Sequence, residues 1–555
     1  MKSKKILVFA LILTMIATLI LSSCGNSSSS EDTPATDSDS SGGNSDLAAQ
    51  IIASAQDYMK LAQSEMKDGA TSSKDTLVFA AVTDPGRIDL GSLLEFTQYP
   101  FATMCVEYFM RYDFEKAEFY SPVCDSYETD EDNMGVTFHL TPNIKMNDGN
   151  ILEPSDVVAS IEAFRTHNGL GWQLDFVDLD QTTITDSTTF NLRFKEVNGV
   201  WESGFQMLTL VSGKAYEAVN GDVSFFQAPI GPQAYDVTDW VSGDHITVTR
   251  FDDYYRGTPP IKTVTMEIIS DRTAAFMALQ NGDIDLLWNI SADQVQTVYA
   301  EDNLEQVVMG ENMSIWLGMN SANEALSDFR VRKAIFLAID RQEIIDGAYD
   351  GLAYPANSVL TREALGYNTS YDTDPIFPDQ NIEEAQALLD DAGYGDGLTL
   401  RILAESTINF QLVTELLSAQ LEQIGITLDA ELTDYATMNA KMFGEDATAY
   451  DMTLFLCQDS DDAISTLDNP MLFGATHPEL SEAGDGWYAL WDEIRATPDT
   501  DERIKLYEDV QTYFAEEGLF WVPLAVGQTY VAFDKDLTGF RRNGFMLYFE
   551  GAYFR

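Results

Sequence analysis

The sequence predicts a large α/β protein, and three observations carry that expectation. From Thr76 onward, short β-rich apolar runs alternate with capped helical stretches. Hydrophobic residues make up 45% of the chain and aromatics 11%, enough to bury a substantial core. The length of 555 residues leaves room for about three to four domains.

Leu77 to Val82 reads as a strand ended by the turn residues Asp84-Pro85-Gly86. Val136 to Leu140 is another, and Asn147-Asp148-Gly149 makes a turn beyond it. Pro154 opens a helix with Asp156 near its positive end. Thr182 to Ile184 and Thr189 to Phe194 read as two strands around a turn. Asp178-Leu179-Asp180 before them has a faint calcium-loop pattern, but Thr183 stands where that loop needs Gly. Ser327 is expected to cap a helix with Val331, Ala334, Ile335, Ala338 and Ile339 on one face. Asn381 and Glu384 form a capping-box-like start, and Gly393 stops that helix. Val413, Leu416, Leu417, Leu421 and Ile424 line a further helix, stopped by Gly425 and followed by the strand Ile426-Thr427-Leu428. A last helix runs from Pro498 to Gly518. All these apolar positions are core rather than site.

The first 24 residues stand apart. Lys2, Lys4 and Lys5 precede an apolar run from Ile6 to Leu21 that ends in Leu21-Ser22-Ser23-Cys24. A short apolar stretch behind lysines is the pattern of a secretory signal, and Leu-Ser-Ser-Cys resembles a bacterial lipobox with Cys24 as the acylated residue. Residues 25–46, rich in Ser, Gly, Asn, Asp and Thr, cannot bury enough surface to fold and read as a tether. Leu47 to Met66 carries apolar residues at helical spacing, and the span 47–74 is either a stalk or a helix packed on the body.

Charge and chemistry exclude several classes. Lys and Arg number 32 against 90 Asp and Glu, a net charge of −58. Such a surface repels phosphate backbones, so no nucleic-acid partner is expected. Cys105, Cys124 and Cys457 form no CxxC pair and the four histidines are scattered, so no metal site is expected. Cys105 and Cys124 either form a disulfide or remain thiols. No GxSxG, HExxH, GxxxxGK[ST] or GxGxxG motif occurs, so neither an enzyme nor a cofactor is expected.

Several segments, in order, carry a resemblance. Phe138-His139-Leu140-Thr141-Pro142-Asn143 through Gly149, Ser155-Asp156-Val157-Val158, Gly231-Pro232-Gln233-Ala234-Tyr235 and Arg250 to Tyr255 form its first half. Ala278 to Asp285 ("LQ-x-G-x-x-D"), Asn320, Asp328, Val331-Arg332-Lys333-Ala334, Ala338-Ile339-Asp340-Arg341 and Ala385 to Gly397 form its second. Over about 450 residues this order resembles the extracellular solute-binding proteins of ABC importers, family 5, of the oligopeptide- and dipeptide-binding type. Departures are Gln233 before the Tyr, Phe251-Asp252-Asp253 for Asn-Pro-Asp, and Glu153 as a poorer cap before Pro154.

The resemblance implies a two-lobed periplasmic-binding-protein fold, type II, large cluster, with an extra subdomain in lobe I. Its expected bounds are 75–313 for lobe I, with the subdomain at about 101–225, 314–519 for lobe II, and 520–555 for the return to lobe I. The chain would cross near Ser314 to Met319 and again near Phe520 to Leu524. It would work without catalysis, as a monomer held by lipid on Cys24 at the extracytoplasmic face, closing on a small peptide and handing it to permease subunits. The alternatives are the same fold with another solute, such as a metal chelate or oligosaccharide, or a surface adhesin or signal receptor. No ordered His or Arg cluster is visible, which argues against an anionic chelate. The ligand tract is Phe455-Leu456-Cys457-Gln458-Asp459. It lacks the Trp that commonly precedes the family's "ADY" segment, and Ser460 replaces its Tyr. Leu456 and Cys457 would pair with the peptide backbone and Asp459 would meet its ammonium. Phe455 and Trp521 complete the expected ligand set.

Overall fold

The computed structural model of the chain describes residues 41–65, 71–88, 98–113, 116, 118–168, 170–309, 313–442, 449–458, 486–543 and 546–555. The signal segment 1–24, Cys24 and most of the expected tether lie outside them. Helix α1, Ser41–Glu65, already begins inside the stretch read as tether. Ala48, Ile51, Ile52, Ala55, Tyr58, Met59 and Ala62 are all buried, so α1 packs on the body along its apolar face. The Tyr58 hydroxyl reaches the carbonyl of Leu537 at 3.1 Å, and Arg555 pairs with Glu65 at 2.6 Å.

In chain order β1 (Thr76–Ala81) and α2 (Tyr99–Cys105) lead into the strands of a separate sheet. These are β2 (Cys124–Thr129), β3 (Gly135–Leu140), β4 (Val177–Ile184) and β5 (Thr189–Phe194), with α3 (Pro154–His167) between β3 and β4. They pair in the order β2-β3-β5-β4. Phe109, Phe138, Phe190, Trp201 and Phe205 are buried beneath them. Asp156 corrects the expectation of a weakly capped α3: its carboxylate accepts from the Glu153 N–H at 2.9 Å and the Gly213 N–H at 2.8 Å. Asp178 is likewise occupied locally, accepting from the Asp180 N–H and the Gln181 amide.

The chain then returns to the sheet of β1 with β6 (Tyr235–Val241), β7 (His245–Arg250), β8 (Thr263–Ile268), α4 (Arg272–Asn281), β9 (Leu286–Trp288), α5 (Ala292–Ala300) and β10 (Leu304–Val308). A second large sheet takes β11 (Met313–Met319), β12 (Ala353–Pro355), β13 (Leu398–Glu405), β14 (Ile426–Thr433) and β15 (Met452–Gln458). Between these strands lie α6 (Phe329–Leu337), α7 (Arg341–Tyr349), α8 (Ile382–Ala392) and α9 (Ile408–Glu422). After them come α10 (Trp487–Ala496) and α11 (Thr500–Tyr513), then β16 (Trp521–Gly527) in the second sheet and β17 (Tyr530–Asp534) in the first. The first sheet has the order β10-β17-β9-β1-β8-β7-β6 and the second β12-β16-β11-β15-β13-β14.

Three boundaries differ from the sequence reading. The last helix starts at Thr500 behind an Asp499 cap, not at Pro498. Asp328, not Ser327, caps α6, because its carboxylate accepts from the Arg330 N–H at 2.8 Å while Ser327 ends the preceding short helix. The second crossing falls at Gln528–Thr529 rather than at Phe520 to Leu524. Trp521 to Val526 are buried and pair with β11, so this apolar run is a lobe II strand before it is a connection. Elsewhere the expected signals act as read. Asn381 accepts from the Glu384 N–H at 3.1 Å, and Gly393 ends α8 at φ +89°. Cys105 and Cys124 are free thiols. Burial pushes Cys105 well up and Cys124 to about 12.

Candidate functional site

The strand directions locate the site before any side chain is considered. β1 runs parallel to β8 and β9, and lies between them. In such sheets ligands bind beyond the carboxyl ends of the strands, where the winding reverses. Trp288, the last residue of β9, stands opposite Val531 at the start of β17, and Val308 ends β10 opposite Tyr530. The carboxyl edge of the first sheet therefore faces the crossing. In the second sheet Met313 begins β11 opposite Gln458 and opposite Gly527. The carboxyl end of β15, with those of its parallel neighbours β13 and β14, faces the same crossing from the other side. Two binding edges thus confront each other across one pair of connections. Those connections touch: the Met309 N–H donates to the Thr529 carbonyl at 2.8 Å.

On the lobe I edge a small cavity is lined by Val82, Ile269, Arg272, Trp288, Asn289 and Gln294. Trp288 is buried and its indole N–H has no acceptor among the described residues. Asn289 holds φ +57°, a left-handed conformation that Asn tolerates better than most residues. Sequence reasoning missed these residues, since nothing in "Leu-Leu-Trp-Asn" announces a strand end at a cleft.

On the lobe II edge, β15 pairs with β11 along its whole length, from Met452 to Gln458. With β13 it pairs only at Met452 and Thr453. Beyond Thr453 the pairing with β13 stops. Phe455 and Leu456 are half-buried there, and the Cys457 backbone lies opposite Ser314. Asp459 lies outside the described residues. Trp521 is corrected. It sits at the end of β16 remote from the crossing, only 2% exposed, with its ring 6.5 Å from Trp316 and 6.2 Å from Phe455. It belongs to the lobe II core and presents no face to a cleft.

The lobes also meet away from the crossing. The Gly199 N–H, after β5, donates to the Arg495 carbonyl of α10 at 2.7 Å. A Cβ on Gly199 would overlap the Thr497 carbonyl, so only glycine fits that approach. Val200 beside it is 7% exposed and packs into the lobe II core. Arg542 of lobe I forms an ion pair with Glu363 of lobe II. Among the described residues no group of three or more His, Cys, Asp or Glu is placed to hold a metal ion, and no helix is long and apolar enough to cross a membrane.

Two α/β lobes with facing carboxyl edges and a two-chain crossing define a two-lobed architecture of the periplasmic-binding-protein kind. The model of the bacterial extracellular solute-binding proteins, family 5 (middle) matches residues 118–472, and the chain belongs to that family. The glutathione-binding protein GsiB of Salmonella paratyphi A is 25% identical over 435 residues, covering 75% of this chain and 82% of that protein. Among solved structures, the ABC transporter substrate-binding protein CtaP from Listeria monocytogenes aligns with a TM-score of 0.75 at 22% identity, covering 88% of this chain and all of that one. The periplasmic binding protein DppA from Helicobacter pylori, in complex with the peptide STSA, aligns at 0.74 and 20%, covering 86% and 98%. The fold is the two-lobed, type II periplasmic-binding-protein fold. Fold and family are those of solute-binding proteins rather than enzymes.

Proposed function

We propose that this protein is the receptor of an ABC importer that captures peptides between its lobes by hinge closure and delivers them to the permease. One observation carries the peptide reading: β15 parts from its parallel neighbour β13 after Thr453 while it stays paired with β11 as far as Gln458. An extended peptide offers alternating donors and acceptors, and a strand edge beside a cleft takes them regardless of side chains. In this reading Leu456 and Cys457 pair with the ligand backbone, Phe455 flanks it, and Asp459 receives the α-ammonium. The protein acts as a monomer. Cys24 carries the lipid that holds it at the outer face of the membrane, where the tether raises its effective concentration at the permease.

Calorimetry with a tripeptide and its N-acetylated form tests the reading. Removing one partner of a buried ion pair costs on the order of 3–5 kcal/mol. Asp459→Asn is therefore expected to weaken binding by about a hundredfold or more, and acetylation to do the same to the wild type. Normal binding by the mutant together with tolerance of acetylation contradicts the role of Asp459. Failure of all peptides, with a non-peptide solute retained through purification, contradicts the peptide reading itself. Cys24→Ala is expected to leave the membrane fraction; a correctly cut mutant that stays there refutes the anchor.

A further inference from the structure

Helix α1 joins the two lobes at a third place, beside the crossing. Its second half is fixed to lobe I. Tyr58, Met59 and Ala62 are buried in a core shared with Phe533, Leu537 and Phe554. The Tyr58 hydroxyl lies 3.1 Å from the carbonyls of both Lys535 and Leu537. Glu65 accepts from the Thr538 hydroxyl at 2.6 Å and pairs with Arg555 at 2.6 Å. The first half of α1 belongs to a different cluster, nearer the hinge. Ala48, Ile51, Ile52 and Ala55 are buried there with Val308 and Tyr530, the residues that end β10 and begin β17. The same cluster takes in Leu352, which belongs to lobe II.

The lobe II side presents bare backbone to the helix. Asp350 and Gly351 hold φ +50° and +78°, two successive left-handed residues between α7 and β12. The Gly351 N–H donates to the Ile345 carbonyl at 3.2 Å and the Leu352 N–H to the Tyr349 carbonyl at 2.8 Å, so this loop moves with α7. Ala353 pairs with Gly527, the last residue of β16 before the crossing. A Cβ on Gly351 would stand 3.6 Å from that of Ala48. The Ala48 methyl group therefore meets glycine backbone across the lobe boundary.

The contact is tied to one lobe angle. It exists together with the far contact, in which the Gly199 N–H donates to the Arg495 carbonyl. A rotation that separates the far contact also moves Gly351 against Ala48, because α1 is held to lobe I and Gly351 to lobe II. Apolar surface on Ala48 and Leu352 then returns to water, which is unfavourable.

We propose that α1 is a brace for the hinge: seated on Gly351 and Leu352, its first half favours the shut arrangement of the lobes. A larger shut fraction raises the apparent affinity for the solute without any contact to it. The proposal rests on the hinge-closure reading above and is independent of what the solute is.

The test is a reversible lock, Ala48→Cys combined with Gly351→Cys. The 3.6 Å between the two Cβ positions is within the span that a disulfide bridges. Cys105 and Cys124 compete poorly, since burial holds both thiols well above the ordinary range. Strain from a side chain at φ +78° is common to the oxidised and reduced forms, so comparing them cancels it. Hydrogen exchange of the unliganded protein is read in the peptide that spans Gly199. Oxidation is expected to slow that exchange at least about fivefold, and reduction to restore it. A disulfide that forms and leaves the exchange unchanged overturns the brace, as does a folded double variant whose pair does not oxidise. Should the double variant not fold, Ala48→Asp reads the same contact in the opposite direction. Faster exchange at Gly199 is then expected while the buried Val531 of β17 keeps its protection, and unchanged exchange at Gly199 overturns the proposal. If Gly199 in the unliganded wild type is already as protected as Val531, hinge closure itself fails and the brace with it. That result differs from a lock that forms without effect on a fast-exchanging Gly199.

Discussion

At the crossing the lobes are joined by backbone, with β10 and β17 paired up to Val308 and Tyr530, β11 and β16 paired from Met313 and Gly527, and the two linkers hydrogen-bonded at Met309. On the far side the described residues that join them include the hydrogen bond to Gly199, the buried Val200 and the Arg542–Glu363 ion pair. The first set continues two sheets and survives any change of angle that leaves the ladders intact. The second involves groups held on different lobes and is lost as soon as they separate. Under the proposed hinge closure, strong roots and a weak, shape-selective far contact let a protein open without unfolding and close when a ligand adds its own contacts. This asymmetry ties the fold to the function.

Damage to the lobe II core that carries the root should register as stability. Trp521→Ala removes a buried ring from the start of β16, packed on Trp316. Such truncations cost about 3–5 kcal/mol, which a denaturant melt will read as a lower midpoint. Trp521→Phe is expected to recover most of that loss and to bind ligand normally, as befits a core residue.

Damage to the far contact should register as affinity. Gly199→Val places side-chain atoms against the Thr497 carbonyl of the other lobe, and under the proposed hinge closure that clash falls on the closed state. Overpacking of about 1–3 kcal/mol charged to the closed state weakens ligand binding roughly fivefold to a hundredfold. The unliganded melt should barely move. A large drop in that melt with unchanged affinity would mean that the contact is permanent.

The smallest effect is expected from the ion pair. Arg542 and Glu363 are each more than a fifth exposed, and pairs of that kind contribute about 0–1 kcal/mol. Glu363→Gln should therefore weaken binding by no more than about fivefold. The difference from wild type should fade as added salt screens the pair.

What could be read from the sequence depended on whether the signal was local. The α8 capping residues, the apolar face of α9 and the turn at Gly425 all sit within a few residues of the structure they specify, and each was legible. Asp328 was missed because Ser327 beside it is an equally good capping type, and only the geometry chooses between them. The second crossing was placed too early because Trp521 to Val526 is one apolar run with no break where lobe II ends. Phe455, Leu456 and Cys457 could be named from a resemblance, but the point where β15 parts from β13 is a property of register, and register involves Leu403 and Thr453 together. The contact of α1 with Gly351 lay furthest from reach. The spacing of apolar residues in α1 shows that one face is buried, and nothing in it names the lobe II loop that covers part of that face.

The most direct test of the hinged, two-lobed account is small-angle scattering of the purified protein, with and without a saturating peptide, alongside Gly199→Val under the same conditions. Closure predicts a smaller radius of gyration when the wild type is liganded and a lesser decrease in the mutant at matched occupancy. Tight binding that leaves the radius unchanged in the wild type would contradict hinge closure as the means of capture.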